Sequence, residues 1–490
     1  MMDGVAASPL FDNSYARLPE RFYARLPATP VAAPRLIRVN DALAQVLGLD
    51  PAFLRSDEGV AWLAGNRVPE GAAPIAMAYA GHQFGNFVPQ LGDGRAILLG
   101  EIVGRDGVRR DIQLKGSGRT PFSRGGDGRA ALGPVLREFL LSEAMAALNI
   151  PTTRTLAAVL SGDFVFRDLP QPGAVLARVA QSHVRIGTFQ YFAARGDAEA
   201  VSVLADYIIA RHYPAAQSAE NRYRALLDAV IARTASLIAR WQLIGFIHGV
   251  MNTDNMSVAG ETIDYGPCAF MDHYQSGMVY SSIDHAGRYA YGNQPRIAYW
   301  NLARFAETLL PLLALEAEAA VAAAHAALDA YPTAFERTYH AGLRAKLGLH
   351  TEQDGDIDLA RDLFACMEAQ RADFTLTFRY LCDAAETGAE DNLRALFADP
   401  TGLDAWLARW RARLAREASR GAGMRAVNPA FIPRNHRVQA AIAAAEHDDF
   451  SKFEELMQVL AKPFDDQAAF AQYAEPPRPE EIVHQTFCGT

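Results

Sequence analysis

Cysteine is scarce in this 490-residue chain: Cys268, Cys366, Cys382 and Cys488 are its four, and no two stand in a C-x-x-C pair. That spacing argues against a zinc site and for a reducing compartment, expected here to be the cytoplasm. No run of about 18 apolar residues occurs, so no membrane-spanning segment and no membrane partner are expected. The opening stretch MMDGVAASPLFDNSYARL has neither a basic n-region nor an apolar h-region, so no secretory signal is read. Positive charge is also short: 47 Lys and Arg against 56 Asp and Glu leave a net charge of −9. A general nucleic-acid binder carries the opposite balance, and no nucleic-acid partner is expected. Internal repeats, coiled-coil heptads and low-complexity tracts are missing too. What remains, 50% apolar and 21% charged, is the composition of a globular protein with a large core. Its length leaves room for two to four domains, or for one large unit with insertions.

The most informative stretch is HGVMNTDNMSVAGETIDYG, from His248 to Gly266. It sets Asp254 beside Asn255 and, nine residues after Asn255, places Asp264 at the head of Asp264-Tyr265-Gly266. On two short strands joined by a turn at Ala259-Gly260, a carboxylate and an amide oxygen at that separation can converge on one hard cation. Mg²⁺ takes few protein oxygens and keeps positions open for phosphate. In protein kinases the corresponding ligands are the catalytic-loop Asn and the Asp of Asp-Phe-Gly. Kinase-like loops carry His-Arg-Asp or His-Gly-Asp, with the Asn five residues after that Asp. Here His248 and Gly249 keep the register, but the Asp position is Val250, so Asp254 is the nearby carboxylate left in the loop. Asp-Asn and Asp-Tyr-Gly are also common turn sequences, so the stretch needs its context.

That context lies upstream. Residues 1 to 75 are rich in Pro and Arg, have one helical stretch from Asn40 to Leu49, and read as an extension wrapped around the rest. From residue 76 to 190 the texture is that of a kinase-like N-lobe. GHQFGNFVPQLGDGRAILLGEIV reads as a Gly-rich loop followed by a strand from Ala96 to Val103, with Gly92-Asp93-Gly94-Arg95 where a phosphate-covering loop would lie. Val108 to Lys115 reads as a strand ending in a lysine able to hold phosphates. GSGRTPFSRGGDGRAALG follows, a loop crowded with Arg119, Arg124, Asp127 and Arg129. Gly133-Pro134 opens a helix carrying two acids, Glu138 and Glu143, either of which can pair with Lys115; helical spacing does not choose between them. Leu156 to Arg167 reads as a strand, a Ser161-Gly162-Asp163 turn and a second strand, and Ala174 to Ala180 as a third. Arg178 and Arg185 come next, each able to chelate phosphate or to sit in an ordinary salt bridge.

Residues 191 to 300 read as a C-lobe in which an amphipathic helix, Tyr223 to Trp241, leads into His248. Residues 301 to 490 read as a helical region, with helices at Ala303–Tyr331, Asp358–Ala385, Gly402–Ala418 and Arg437–Ala461. The expected fold is α+β, a protein kinase-like bilobal fold with a β-rich nucleotide-binding N-lobe, a helical C-lobe and extensions at both ends. Cys268, two residues past Gly266, and Cys488, third from the end, form a candidate redox pair. MRAVNPAFIPRNHRVQ is distinctive, but its spacing points to no chemistry.

Taken together, PIAMAYAGHQFGNFVPQLGDGRA, IQLKGSGRTPFSRGGDGRAALGPVLREFLLSEAM, HGVMNTDNMSVAGETIDYGPCAFMD and NPAFIPRNHRVQ resemble the selenoprotein O family of protein adenylyltransferases, over nearly the whole chain. The resemblance implies a kinase fold that binds ATP flipped relative to kinases and transfers AMP to protein Ser, Thr or Tyr hydroxyls. It implies nucleotide binding by Gly92, Gly94, Arg95, Lys115, Asp127, Gly128, Arg178, Arg185 and Asp264. It further implies Mg²⁺ or Mn²⁺ on Asn255 and Asp264, a proton acceptor at Asp254, and Glu138 as the partner of Lys115. A flipped nucleotide would also account for Val250. Family members often end in cysteine or selenocysteine followed by two serines, whereas Gly489-Thr490 stand here, which weakens a redox role for the tail. Two other activities compete: phosphotransfer with Asp254 as a substitute base, and a pseudokinase that binds nucleotide without turnover. The use of UTP, the target proteins and the oligomeric state are not legible.

Overall fold

A computed structural model describes residues 11–167, 169–418, 421 and 423–487. An antiparallel sheet occupies the first part of the chain, and the later part is largely helical. The strands run β1 (Tyr23–Arg25), β2 (Arg35–Val39), β3 (Ile75–Met77), β4 (Gly81–Gln83), β5 (Asn86–Val88), β6 (Ala96–Val103), β7 (Arg109–Lys115), β8 (Ala130–Ala131), β9 (Arg154–Phe166) and β10 (Pro170–Ala180). The main sheet has the order β1-β3-β6-β7-β10-β9-β2, with β8 added on β10, while β4 and β5 form a separate hairpin. The segment before residue 75 therefore supplies both edge strands. Its helices, α1 (Asp41–Leu47), α2 (Pro51–Arg55) and α3 (Asp57–Leu63), contribute to a core that includes Leu43, Leu47, Trp62 and Leu63 together with Ile97, Leu99, Ile112, Leu114, Val175 and Val179.

Residues of opposite parity belong to a second core. Leu98, Ala158, Ala174 and Leu176 pack with Leu136, Phe139 and Leu140 of helix α4 (Leu132–Ala147). A sheet covered on both faces reads as near-continuous apolar strands rather than alternating ones, which is why AILLGEIV is so evenly hydrophobic. Strand β9 corrects the expected turn at Ser161-Gly162-Asp163. It runs unbroken through those residues, and its pairing to β10 shifts register between Pro172 and Ala174. Gly162, at φ +77°, marks a β-bulge.

Helices α5 (Ile186–Ala193) and α6 (Ala198–His212) precede the long α7 (Arg222–Leu243), whose Asn221 cap accepts from the Tyr223 and Arg224 amides. Gly245, at φ +69°, ends that run and turns the chain into β11 (Phe246–Ile247), paired with β12 (Ala269–Phe270). The segment between them corrects another expectation: Asn255 and Asp264 are not on two short strands. They lie in the loop that β11 and β12 close, which holds a 3₁₀ turn at Thr253–Asn255 and reverses at Gly260, φ +75°. Two-residue strands outside the motif carry the pairing, and such strands leave no periodic signal.

Beyond the loop, the helix expected at Ala303–Tyr331 is divided into α8 (Gln294–Leu313) and Ala317–Leu328, followed by Ala330–Lys346. That expected at Asp358–Ala385 breaks at Arg371, φ +53°, into Asp356–Gln370 and Phe374–Glu386. That expected at Arg437–Ala461 breaks near Asp448, φ +67°, into Asn435–Ala445 and Ser451–Leu460. No helix among the described residues is long and apolar enough to cross a membrane.

Candidate active site

Lys115 ends β7, and its register with β10 sets Arg178 across from Gln113, one strand away and on the same face. Helix α4 presents Glu138 to both cations. Lys115 Nζ donates to Glu138 Oε2 at 2.5 Å, and Arg178 Nη1 donates to Glu138 Oε1 at 3.2 Å. Glu143 is engaged elsewhere: Arg154 Nε and Nη2 donate to it at 2.9 and 2.6 Å, and Asn40 and the Thr155 amide bond to it as well. The pairing that helical spacing left open thus goes to Glu138.

Asp264 arrives from the β11–β12 loop with φ +62°, a left-handed conformation uncommon for a side-chain-bearing residue. Its Oδ1 accepts from Arg178 Nη1 at 2.6 Å and Lys115 Nζ at 3.4 Å, and its Oδ2 accepts from Arg185 Nη1 at 2.5 Å. Burial opposes its charge, but Arg185, Arg178 and Lys115 outweigh burial and hold the carboxyl well below the usual range. Glu138 shows the same contest with the same sign, Lys115 and Arg178 prevailing. Both arginines are almost fully buried, which removes the surface salt-bridge reading of them.

Arg185 also donates to the Asp254 backbone carbonyl at 2.5 Å, so one guanidinium ties the two aspartates together. The Asp254 carboxylate differs from that of Asp264. Burial dominates and pushes it up to about 6, only partly opposed by Arg185 and by the hydrogen bond from Gln83. Its Oδ2 accepts from Gln83 Nε2 at 3.2 Å, while its Oδ1 is buried with no hydrogen-bond partner among the described residues. Asn255 uses its amide nitrogen on the Val250 carbonyl at 3.0 Å, which leaves its oxygen as the donor atom for a cation. Position 250 thus retains a backbone role with an apolar, buried side chain.

The donors available to a divalent ion here are carboxylate and amide oxygens, the chemistry that suits Mg²⁺ or Mn²⁺, and the surrounding cations keep Asp264 in the anionic form a ligand requires. Among the described residues no group of three or more His, Cys, Asp or Glu forms a self-sufficient metal cage.

The glycine-rich segments lie beside this cluster in the chain. Gly92 has φ +81°, and a side chain there would meet the Phe122 ring; one at Gly94 would meet the Phe122 carbonyl. The Arg95 carbonyl accepts from the Gly116 amide at 2.7 Å, joining the two loops. Gly128, at φ +70°, packs against the Gly118 carbonyl. The Asp127 carboxylate is bonded by Arg167 at 2.8 and 3.1 Å and by the Arg129 amide at 2.9 Å. Cys268 is buried, and its carbonyl accepts from Arg137 at 3.3 Å; Cys488 lies outside the described residues. Sequence reasoning missed Gln83, which donates to Asp254, and Asn252, Thr253, Gln190 and Tyr289, which bond to one another and to the β4–β5 hairpin. The two-residue turn Phe84-Gly85 lacks the Asn-Gly or Asp-Gly signature that would have flagged that hairpin.

A sheet-borne lysine and arginine, fixed by a helix acid and converging on a loop aspartate beside a second, partner-poor carboxylate, define a phosphate-handling transferase. Comparison with known proteins gives the particular class. Residues 7–461 match the family model described as protein adenylyltransferase SelO. A protein nucleotidyltransferase YdiU of a Bradyrhizobium species is 66% identical over 485 residues, covering 98% of this chain and 99% of the relative. The proteins of that name from Rhodopseudomonas palustris and Methylorubrum extorquens are 66% and 64% identical at the same coverage. The chain belongs to the SelO family of protein adenylyltransferases, and it is a protein nucleotidyltransferase, with a nucleotide as donor and proteins as acceptors.

Proposed function

We propose that this transferase moves AMP from ATP to Ser, Thr or Tyr hydroxyls of target proteins in a kinase-like bilobal fold. Residues 76–190 form its N-lobe and 191–300 its C-lobe, with 1–75 and 301–490 added around them. The observation that carries the reading is the convergence of Lys115, Arg178 and Arg185 on Asp264, with Arg185 also holding the Asp254 backbone. Three cations in one buried place are a poor structural investment and a good match for a triphosphate. Glu138 holds the Lys115 ammonium in place. Gly92, Gly94, Arg95, Asp127 and Gly128 belong to the loops that would lie along the nucleotide, where glycines let backbone N–H groups approach phosphate.

In the reaction an acceptor hydroxyl oxygen attacks the α-phosphorus, the new O–P bond forms, and the bond to the departing pyrophosphate breaks. Asp254 takes the hydroxyl proton. Its carboxylate pKa, raised by burial to about 6, gives it the basicity of a general base near neutral pH. Lys115, Arg178 and Arg185 orient the phosphates and stabilise the charge that accumulates on them. Asn255 and Asp264 would hold Mg²⁺ or Mn²⁺, which when bound supplies further positive charge to phosphate oxygens.

ATP labelled at either the α or the γ phosphate, with casein and the chain's own hydroxyls as acceptors, tests this reading. Label from α and none from γ is expected, and Asp264→Ala is expected to lose both metal-dependent ATP binding and transfer. Label from γ would establish phosphotransfer instead. ATP binding without label from either position would make the protein a pseudokinase.

A further inference from the structure

The hairpin β4–β5 belongs to neither the main sheet nor the loop that carries Asp254, yet it touches that loop residue by residue. Its turn is Phe84-Gly85, with φ +50° and +86°, positive at both central positions as a type I′ hairpin requires. A phenylalanine in the left-handed region is strained, and the contacts around it hold it there. The Phe84 amide donates to Asn252 Oδ1 at 3.0 Å and to the Tyr289 hydroxyl at 3.2 Å, and that hydroxyl donates to the same Asn252 oxygen at 2.6 Å. The His82 amide donates to Thr253 Oγ1 at 2.7 Å; Thr253 in turn donates to Gln190 Oε1 at 2.6 Å, and the Gln190 amide meets His82 Nδ1 at 2.8 Å. Gly81 lies flat against the Asp254 carboxylate, where an added Cβ would fall 2.4 Å from Oδ1.

Between those two anchors, Gln83 extends its side-chain amide to Asp254 Oδ2 at 3.2 Å. The carboxylate has one oxygen held by a neutral donor and the other, Oδ1, buried without a partner among the described residues. A neutral donor fixes the torsion of the carboxylate without adding a charge that would compete with the three cations around Asp264. Oδ1 is closed off by Gly81, so a proton from an acceptor hydroxyl is received at Oδ2, whose second lone pair the single Gln83 donor leaves free.

We infer that Gln83 is a positioning residue for the transfer reaction, fixing the torsion of the Asp254 carboxylate through Oδ2 while Gly81 closes off Oδ1, with the β4–β5 hairpin as its rigid mount. The inference rests on the reading of Asp254 as proton acceptor. Gln83 touches neither Lys115, Arg178, Arg185 nor Asp264 in the hydrogen bonds of the described residues, so its loss should leave the nucleotide where it is.

The test compares wild type, Gln83→Met, Asp254→Asn and the double variant by transfer of α-labelled AMP to casein at saturating ATP, together with the Kd for ATP. Methionine keeps the length and bulk of glutamine and removes the donor. Gln83→Met is expected to lower kcat by about 10- to 100-fold, less than the roughly 10²- to 10⁴-fold that a general base itself contributes, with the Kd for ATP within about twofold of wild type. Added to Asp254→Asn, it is expected to lower the rate no further, because a residue acting through Asp254 has nothing left to position. An unchanged kcat in Gln83→Met overturns the inference while leaving Asp254 as the base. A Kd for ATP that weakens in step with kcat, or a double variant slower than Asp254→Asn, assigns Gln83 a general structural role and overturns it as well. Full activity in Asp254→Asn would instead remove the reading on which it rests.

Discussion

A lysine ammonium enclosed by two phenylalanine rings has exchanged its hydration for a weak cation–π contact. Lys346 Nζ lies 4.2 Å from the Phe378 ring centre and 5.8 Å from that of Phe374, in a core where the residue is 3% exposed. Burial pulls its pKa from 10.5 down to about 7. Between those two values the unfolded chain binds more protons than the folded one, so this residue makes stability rise with pH across the window. At and below about pH 7 its cost is fully present. Lys346→Met, similar in length and uncharged, is expected to stabilise the protein near neutral pH by roughly 1–3 kcal/mol, the desolvation cost less the lost cation–π attraction. The gain should shrink toward about pH 10, as read from urea unfolding at several pH values. At this scale the sequence disclosed which residues carry charge chemistry but not what surrounds them. For Arg178 and Arg185 the residues alone leave phosphate chelation and an ordinary salt bridge both open, because nothing local says that a strand will be covered on both faces. His248 showed its register but not its task, which is to stack on Trp241 and bond the Ile263 carbonyl at 2.9 Å, directly before Asp264.

Among the elements, those with a long period were the legible ones. Strand β6 falls where the apolar run placed it, and α7 and α4 follow their helical stripes. The elements that shape the site are too short to have a period: β11 and β12 have two residues each, and β4 and β5 three each. The bulge in β9 reads as a turn because Ser-Gly-Asp is turn chemistry wherever it occurs, and only the partner strand reveals that pairing resumes beyond it. Gly162 also shows why a glycine is required there. Its φ is +77°, and a Cβ would fall 2.7 Å from the Ala33 side chain and 2.8 Å from the Ala33 nitrogen, whose amide donates to the Ser161 carbonyl at 2.9 Å. Gly162→Ala must accept both the left-handed strain and a push against the approach to β2. An unfolding free energy lower by about 1–3 kcal/mol is expected, with AMP transfer at low temperature at the wild-type rate, since residues 161–163 make none of the hydrogen bonds that join Lys115, Glu138, Arg178, Arg185 and Asp264. A thermal midpoint equal to wild type would show that the edge of the sheet yields there.

Across the whole molecule, the C-terminal helices close back onto the strand that leaves the active-site loop. The Phe374 amide donates to the Asp272 carbonyl at 2.7 Å, Asn435 Nδ2 to the Phe270 carbonyl at 2.9 Å, and the Thr486 amide to the Tyr280 carbonyl at 2.7 Å. At the centre is Arg434, 1% exposed, which donates to Asp272 Oδ1 at 2.9 Å, Asp373 Oδ2 at 2.6 Å and the Ala474 carbonyl at 3.0 Å. This is the use of the NPAFIPRNHRVQ segment that spacing could not show: its partners are 162 and 61 residues distant along the chain, beyond the reach of any local pattern. Arg434→Met leaves two buried carboxylates facing each other with no counter-charge, a loss of about 3–5 kcal/mol for a broken buried ion network. The urea transition is expected to move to lower concentration by that amount. Replacing both acids by asparagine in the same background should recover much of it, because the cost lies in the unpaired charges rather than in the missing guanidinium. A transition for Arg434→Met at the wild-type urea concentration would mean that the helical half is held to the active-site loop by its apolar core alone, with Leu363, Phe374 and Phe378 packed beside Ala269 and Met271.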